Sequence, residues 1–506
     1  MRFSLVLLLA LAALSAAVEP AYFAPTARLQ GIGVERDDLS GKLLAIREDQ
    51  LIQSQTFSIM RDPQAVPGAR RITEDRRLQS LFHTAAERSG LPATLIEAVA
   101  YVESWGDANA QSPAGPRGIM QVSLATAREM GLHVVHGTKY RIVVEKTQVR
   151  NKKNKVVTKT VRHKVPYVVA SRDERLDPDR AIPAAATYLA GLERRYGGRD
   201  WAVFAYHCGE GCVAQMLDLT RRARGVPPDQ VTVTRMFFSC SPAWNRELYQ
   251  AVEFNMQRDY SPTYWFRIQR AEQLLDLYRR DPVAFAALAE EYRSDFPVGP
   301  RPPHRLTVWL KQTDLVYQRS DEIIAANGSK LVPAFDRPDY FGYALRLLPG
   351  QPGDLAFLTQ ASPSAIGTLL YLAFETRRLW SEMKPKGETF RPLEVASLVE
   401  PDDYVRRGNY AEGPAHSSGQ VFDIAYGNLP PGELECLRFI LDDLGWAGHL
   451  GFVDDGPRRI HIGCAPASRE FFNAVFQEAQ EKNSADQVVR EESPHVGQDA
   501  HVGELH

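Results

Sequence analysis

The chain has few cysteines for its 506 residues: Cys208, Cys212, Cys240, Cys436 and Cys464, with no CxxC pair among them. That argues against a cysteine metal cluster and against a disulfide-dense scaffold, and the odd number leaves at least one thiol unpaired within the chain. In an exporting context Cys436 with Cys464 would fall in one compact C-terminal unit, and Cys240 would pair with Cys208 or Cys212. No run of eighteen apolar residues is present, so no transmembrane segment is expected. An excess of one charge is also missing. Sixty Lys and Arg stand against 62 Asp and Glu, a net charge of −2. Polyanion binding by the whole chain, nucleic acid included, is therefore not expected, and any basic function must be local.

The composition, 44% hydrophobic and 24% charged, is that of an ordinary globular protein, and the length leaves room for about three domains. Residues 1–17 read as an export signal: Arg2 is the basic start, Phe3 to Leu14 the apolar run, and Ser15-Ala16-Ala17 the small residues for cleavage. No cysteine follows for a lipid anchor. The mature protein is expected in the periplasm or outside the cell. Residues 18–71 read as an extended N-terminal arm with a short helix near 39–50.

The most informative stretch is 93–131. Leu95, Ile96, Val99, Ala100 and Val102 recur at helical spacing and predict a buried helix face. Glu103 closes that face, followed by Ser104 and Trp105. A carboxylate at such a place is costly unless solvated, paired or protonated. A carboxyl that keeps its proton in apolar surroundings can serve as a general acid. A Gly/Pro/Ser-rich turn, Ser112 to Gly118, is expected to fold back over the helix end. Ile119, Met120 and Gln121 are expected to open a second helix carrying Thr126 and Arg128.

Glu103-Ser104, then Ser112-Pro113-Ala114-Gly115-Pro116-Arg117-Gly118-Ile119-Met120-Gln121, then Thr126-Ala127, resemble the catalytic segment of the soluble lytic transglycosylase family. Ala205-Tyr206-His207-Cys208-Gly209 is similar to that family's A-Y-N-A-G block. Residues 184–198 resemble its Y-L-x-x-L helix. The resemblance covers roughly 75–215. It implies a lysozyme-like, mainly α domain over 72–292 that cleaves peptidoglycan glycan strands. In that reading Glu103 is the catalytic acid. Ser104, Met120, Gln121, Tyr206 and His207 bind substrate, and no cofactor is needed. His207-Cys208 departs from the family's Asn-Ala, which puts subsite shape in doubt. A hydrolytic muramidase and a non-catalytic wall-binding scaffold are the competing classes.

Residues 133–172 interrupt the pattern. Two β-branched runs, Tyr140 to Val149 and Val156 to Val165, flank Asn151-Lys152-Lys153-Asn154 and predict a hairpin. It is densely basic, which suits a solvated edge, attachment to an acidic envelope polymer such as teichoic acid or lipopolysaccharide, or a lid over the glycan groove.

Phe296 to His304 is rich in Pro and Gly, and a linker is expected over 293–304. Residues 305–480 read as an α+β domain, with a core helix over 362–380. His416 and Asp423 in HSSGQVFDI, with His461 in RRIHIG, resemble the metal ligands of the zinc D-Ala-D-Ala peptidase family. Two histidines and a carboxylate would leave Zn²⁺ a fourth position for water. Arg458 stands where that family often has its basic glutamate, and Glu400 stands where it has a substrate-binding arginine. The resemblance therefore implies a module that binds wall peptides, or a second, peptidase activity. Residues 481–506 are expected to be a disordered tail.

Overall fold

The computed structural model describes residues 22–26, 41–150, 156–256, 261–292, 314–335, 337–346, 359–383, 388–402, 416–454 and 459–492. The export signal at 1–17, the linker at 293–304 and the turn 151–154 lie outside the described residues.

The first unit is helical. Its helices are α1 (Gly41–Met60), α2 (Ala65–Glu74), α3 (Arg76–Ser89), α4 (Ala93–Ser104), α5 (Leu124–Glu129), α6 (Pro178–Tyr196), α7 (Arg199–Cys208), α8 (Glu210–Arg222), α9 (Val233–Ser239), α10 (Arg246–Met256), α11 (Tyr264–Arg280) and α12 (Pro282–Tyr292). Local chemistry sets several ends. Asp75 caps α3 by accepting from the Arg77 and Leu78 amides, and Gly90 closes it in the left-handed region at φ 77°. Asp177 caps α6, with Pro178 at the first helical position. Helix α4 is the core element: Leu95, Ile96, Val99, Ala100 and Tyr101 are all buried. Glu97 is buried on it too, and it is satisfied by Arg279 and by Gln79 Nε2 at 2.9 Å.

Two expectations change here. In the stretch expected as an extended arm with a short helix near 39–50, the described residues 41–60 and 65–71 are helical. Leu44, Leu51 and Ile52 of α1 bury against Phe238 and Phe266, and α2 packs on α4. Residues 119–121 form a turn, not the start of a helix. Helix α5 begins only at Leu124, where Ser123 accepts from the Thr126 amide. The reason lies at Gln121, whose φ of 45° is outside the helical region.

Strands β1 (Val134–Arg150) and β2 (Val156–Asp173) pair antiparallel along their length. They are longer than the β-branched runs that announce them. At the strand rise, seventeen residues make a ribbon about 55 Å long.

The second unit contains α13 (Ser320–Ala326), α14 (Pro338–Phe341), α15 (Pro363–Met383), α16 (Pro431–Trp446) and α17 (Arg469–Glu492). A short pair, β3 (Val332–Pro333) with β5 (Gln360–Ala361), flanks a five-stranded sheet of order β4-β6-β7-β9-β8. Its strands are β4 (Tyr343–Leu345), β6 (Leu393–Ser397), β7 (Val421–Ala425), β8 (Leu450–Asp454) and β9 (Arg459–Cys464). Only β4 and β6 run parallel among these neighbours. Helix α15 crosses α17 so closely at Gly367 that an added Cβ would lie 1.9 Å from the Phe472 carbonyl oxygen.

Helix α17 continues to Glu492, past the expected start of a disordered tail. Its Glu478 accepts from the Thr26 amide at 3.0 Å, and Lys482 donates to the Ala24 carbonyl at 2.8 Å. These contacts tie residues 22–26 to the C-terminal unit. The expected cysteine pairs are not formed, and no disulfide links the described cysteines. Cys436 meets Met383 Sδ at 3.6 Å on α15, and Cys464 Sγ donates to the Ala465 carbonyl at 3.3 Å. Cys436 thus packs across to a neighbouring helix, while Cys464 bonds beside its own strand end. No described helix is long and apolar enough to cross a membrane.

Candidate active site

A cleft of about 830 Å³ opens where the end of α4, the 107–123 loop and the end of α7 meet. Glu103 sits in it on the last turn of α4, its side chain 15% exposed. The chain leaves that turn through Trp105, at φ 55° in the left-handed region. A tryptophan there is strained and must be held by its surroundings. Tyr101 packs edge-on against it with ring centroids 4.8 Å apart. Arg71 Nη1 donates to its carbonyl at 2.6 Å. Gly68 approaches so closely that a Cβ there would meet Trp105 Cβ at 2.9 Å. Helix α2, assigned to the arm from sequence, is thus a wall of the site.

The hydroxyl of Tyr264 donates to Glu103 Oε1 at 2.6 Å. Burial pushes this phenol well above its ordinary pKa, and the charge of Glu103 and its hydrogen bond push it further. Tyr264 therefore keeps its proton and acts as a fixed donor to the Glu103 carboxyl group. His207 stacks on the Tyr264 ring at 4.2 Å with 9° between planes, and its Nδ1 lies 3.8 Å from Glu103 Oε1. Removing the hydroxyl in Tyr264→Phe leaves the ring and its stacking in place. A hydrogen bond to a charged group is worth about 1.5–3 kcal/mol, so cleavage is expected to fall roughly 10- to 100-fold. Substrate binding should be nearly unchanged. A rate within twofold of wild type would show that Tyr264 does not position Glu103.

The remaining sequence candidates divide into cleft residues and braces. Tyr206 donates through its hydroxyl to the Met120 carbonyl at 2.8 Å. Burial raises its pKa well above ordinary, with Glu103 adding to the shift. Its bond ties α7 to the 118–121 turn. Met120 itself is 2% exposed and is not among the described residues lining the cleft. Its carbonyl, not its side chain, serves the site. Ser104 is also buried, and its hydroxyl donates to the Ile119 carbonyl at 2.7 Å. It locks α4 to the same turn. Gln121 lines the cleft, with Nε2 donating to the Gly118 carbonyl at 2.9 Å. Glu210 pairs with Arg195 and lies off the cleft. Among the described cleft residues the acids are Glu103 and Asp107. Asp107 is exposed and accepts from the Asn109 amide at 2.9 Å. Tyr264, Arg71 and Gly68 escaped the sequence reading, because no local pattern marks them.

The three residues singled out in the C-terminal unit also come together. Asp423 on β7 lies directly opposite His461 on β9, and His416 reaches in from the turn before β7. His416 Nε2 and His461 Nδ1 stand 3.0 Å and 2.7 Å from Asp423 Oδ1, and 3.1 Å from each other. All three residues are buried. Arg459 Nη1 holds the other carboxylate oxygen at 3.0 Å. Burial disfavours the His416 imidazolium, but Asp423 and then Glu400 outweigh it and carry the pKa up to about 9. Burial would likewise raise Asp423, yet the two histidines hold it far below the usual carboxylate range. Glu400 is buried behind His416, and desolvation raises its pKa. Three donors around Zn²⁺ at bond lengths near 2.0–2.1 Å would stand about 3.3 Å apart. The donor set fits zinc once its members part by a few tenths of an ångström.

Residues 80–147 and 155–225 match the family model described as a transglycosylase SLT domain. Over 132 residues the chain is 33% identical to the peptidoglycan transglycosylase gp16 of Escherichia phage T7, covering 26% of this chain and 8% of that protein. Over 239 residues it is 27% identical to the membrane-bound lytic murein transglycosylase F 1 of Alkalilimnicola ehrlichii, covering 45% of this chain and 39% of the relative. The corresponding protein F of Alcanivorax borkumensis is 28% identical over 178 residues, 34% of this chain and 30% of its own length. The chain thus spans well under half the length of each of these relatives.

Proposed function

We propose, from the likeness of residues 80–147 and 155–225 to the transglycosylase SLT domain, that the chain is an envelope lytic transglycosylase. Its substrate is peptidoglycan, cut at the β-1,4 bond between N-acetylmuramic acid and N-acetylglucosamine. The observation that carries this reading is a single half-buried carboxyl, Glu103, held by the Tyr264 hydroxyl in a cleft with no second buried acid among its described lining residues. Two-carboxylate glycosidases need a partner acid on the far side of the bond. Glu103 works alone: it protonates the leaving glycosidic oxygen, then as carboxylate takes the proton of the muramyl 6-hydroxyl. The freed oxygen closes on the anomeric carbon and gives a 1,6-anhydro product without water. The substrate's N-acetyl group shares the positive charge meanwhile.

This chemistry takes no metal. Purified peptidoglycan incubated with the mature protein should release soluble glycan fragments at the same rate with and without a chelator. No release, or release abolished by chelation, would remove the reading.

The buried triad supports a second proposal: His416, Asp423 and His461 hold one zinc ion, and the C-terminal unit engages wall peptides. Bound zinc would polarise a carbonyl or water at its open position. Arg459 orients the Asp423 carboxylate, and Glu400 backs His416. Metal analysis of the full-length protein is expected to find about one zinc per chain. The His416→Ala variant should find almost none, and its Tm should drop toward that of the chelated wild type. Metal-free wild-type protein would instead make the triad a structural ion pair.

A further inference from the structure

The glycan cleft does not use the ribbon of β1 and β2, since its described lining residues include none from either strand. Yet the ribbon is built into the site. Asp173 at the end of β2 is bound by Arg175 at 2.7 Å, and Arg175 also reaches the Val122 carbonyl at 3.2 Å in the catalytic loop. At the other strand, the His133 amide donates to Glu174 at 2.8 Å. The base of the ribbon is therefore fixed relative to Glu103's cleft.

The ribbon carries two properties at once. Between Lys139 and Lys164 the sequence has seven lysines and three arginines against Glu145 alone. The second property is apolar. Alternate residues of a strand share a face, so Tyr140, Ile142 and Val144 lie on one side of β1. They are 56%, 67% and 50% exposed. Directly opposite on β2, Lys164 faces Ile142 and Arg162 faces Val144. Both cations are exposed. The Lys164 ammonium lies 4.7 Å from the Tyr140 ring centroid, so its stem runs along the apolar row. In a chain of net charge −2 this is a strong local positive field.

A soluble acidic polymer would neutralise the cations but leave Ile142 in water. A surface of anionic lipid satisfies both: side chains of this kind enter the headgroup region while flanking Lys and Arg meet the phosphates. We propose that the Tyr140–Ile142–Val144 face docks on a membrane surface bearing anionic phospholipid, with Arg162 and Lys164 as the headgroup contacts. The fixed base then holds the glycan cleft at a set distance from the bilayer.

The test is co-sedimentation of the full mature protein with phosphatidylcholine vesicles, with and without phosphatidylglycerol. Binding is expected to be at least about tenfold tighter with phosphatidylglycerol. The triple variant Y140S/I142S/V144S keeps every charge and should lose about tenfold or more of that binding. R162Q/K164Q should lose binding to the anionic vesicles alone. Both variants should digest soluble glycan strands at the wild-type rate, which shows that they fold. Equal binding to both vesicle types would overturn the proposal. So would a triple variant that binds like wild type while soluble polyphosphate competes, since that marks a polyanion site without a lipid component.

Discussion

Glu103→Gln is expected to fold like wild type, bind glycan strands and cleave them at least about 10³-fold more slowly. The amide keeps the size of the carboxyl and can still meet the Tyr264 hydroxyl, so the 2.6 Å contact survives as a neutral hydrogen bond. What is lost is the transferable proton and the later carboxylate. The loss should be larger than in enzymes with two catalytic acids, because the proposed mechanism gives one group both proton transfers. Thermal unfolding of the variant within a few degrees of wild type, alongside the lost rate, separates chemistry from folding. A variant that cleaves within tenfold of wild type would place the acid elsewhere, with Asp107 the first alternative in the cleft.

Gly118→Ala is expected to cost about 3 kcal/mol of stability and to reduce cleavage severely in whatever protein remains folded. Its φ of 79° already disfavours a side chain, and an added Cβ would sit 1.7 Å from the Arg175 carbonyl oxygen. That neighbour is backbone, which cannot swing aside. The Gly118 amide also donates to the Ala110 carbonyl at 2.8 Å, and its carbonyl accepts from Gln121. Moving it displaces the turn whose Met120 carbonyl anchors Tyr206. Gly115 is the control in the same loop: its φ is 109°, with nothing within 4 Å of a built Cβ. Gly115→Ala should therefore show only the backbone penalty, a clearly smaller drop in Tm. Equal drops would mean that the contact with Arg175 relaxes and that the loop is not braced there.

The legible parts of this protein are those written in local chemistry. The apolar period of 93–104 and the β-branched runs of the hairpin both follow from neighbours in sequence. Glu103 stood out because a carboxyl ends an apolar face. Tyr264 did not, because its partner is 161 residues away and nothing around SPTYWF marks one hydroxyl among several aromatics. Arg71 and Gly68 were hidden for the same reason: their purpose is to hold a strained Trp105, and strain at a distance leaves no local signature. The 119–121 turn was misread because Ile-Met-Gln suits a helix by propensity, while the hydrogen bonds of Gly118 and Gln121 impose a positive φ. In the C-terminal unit the three site residues could be named, but not the direct pairing of Asp423 with His461, since strand register depends on burial of whole faces. The helix over 469–492 shows tertiary packing overriding a polar composition, through contacts with residues 22–26.

Mass spectrometry of muropeptides separates transglycosylation by one carboxyl from hydrolysis. Purified peptidoglycan is digested with the mature protein and, in parallel, with Glu103→Gln. 1,6-Anhydromuramyl products are expected from the wild type and none from the variant. Hydrated reducing ends from the wild type, or anhydro products from the variant, would contradict the one-carboxyl mechanism.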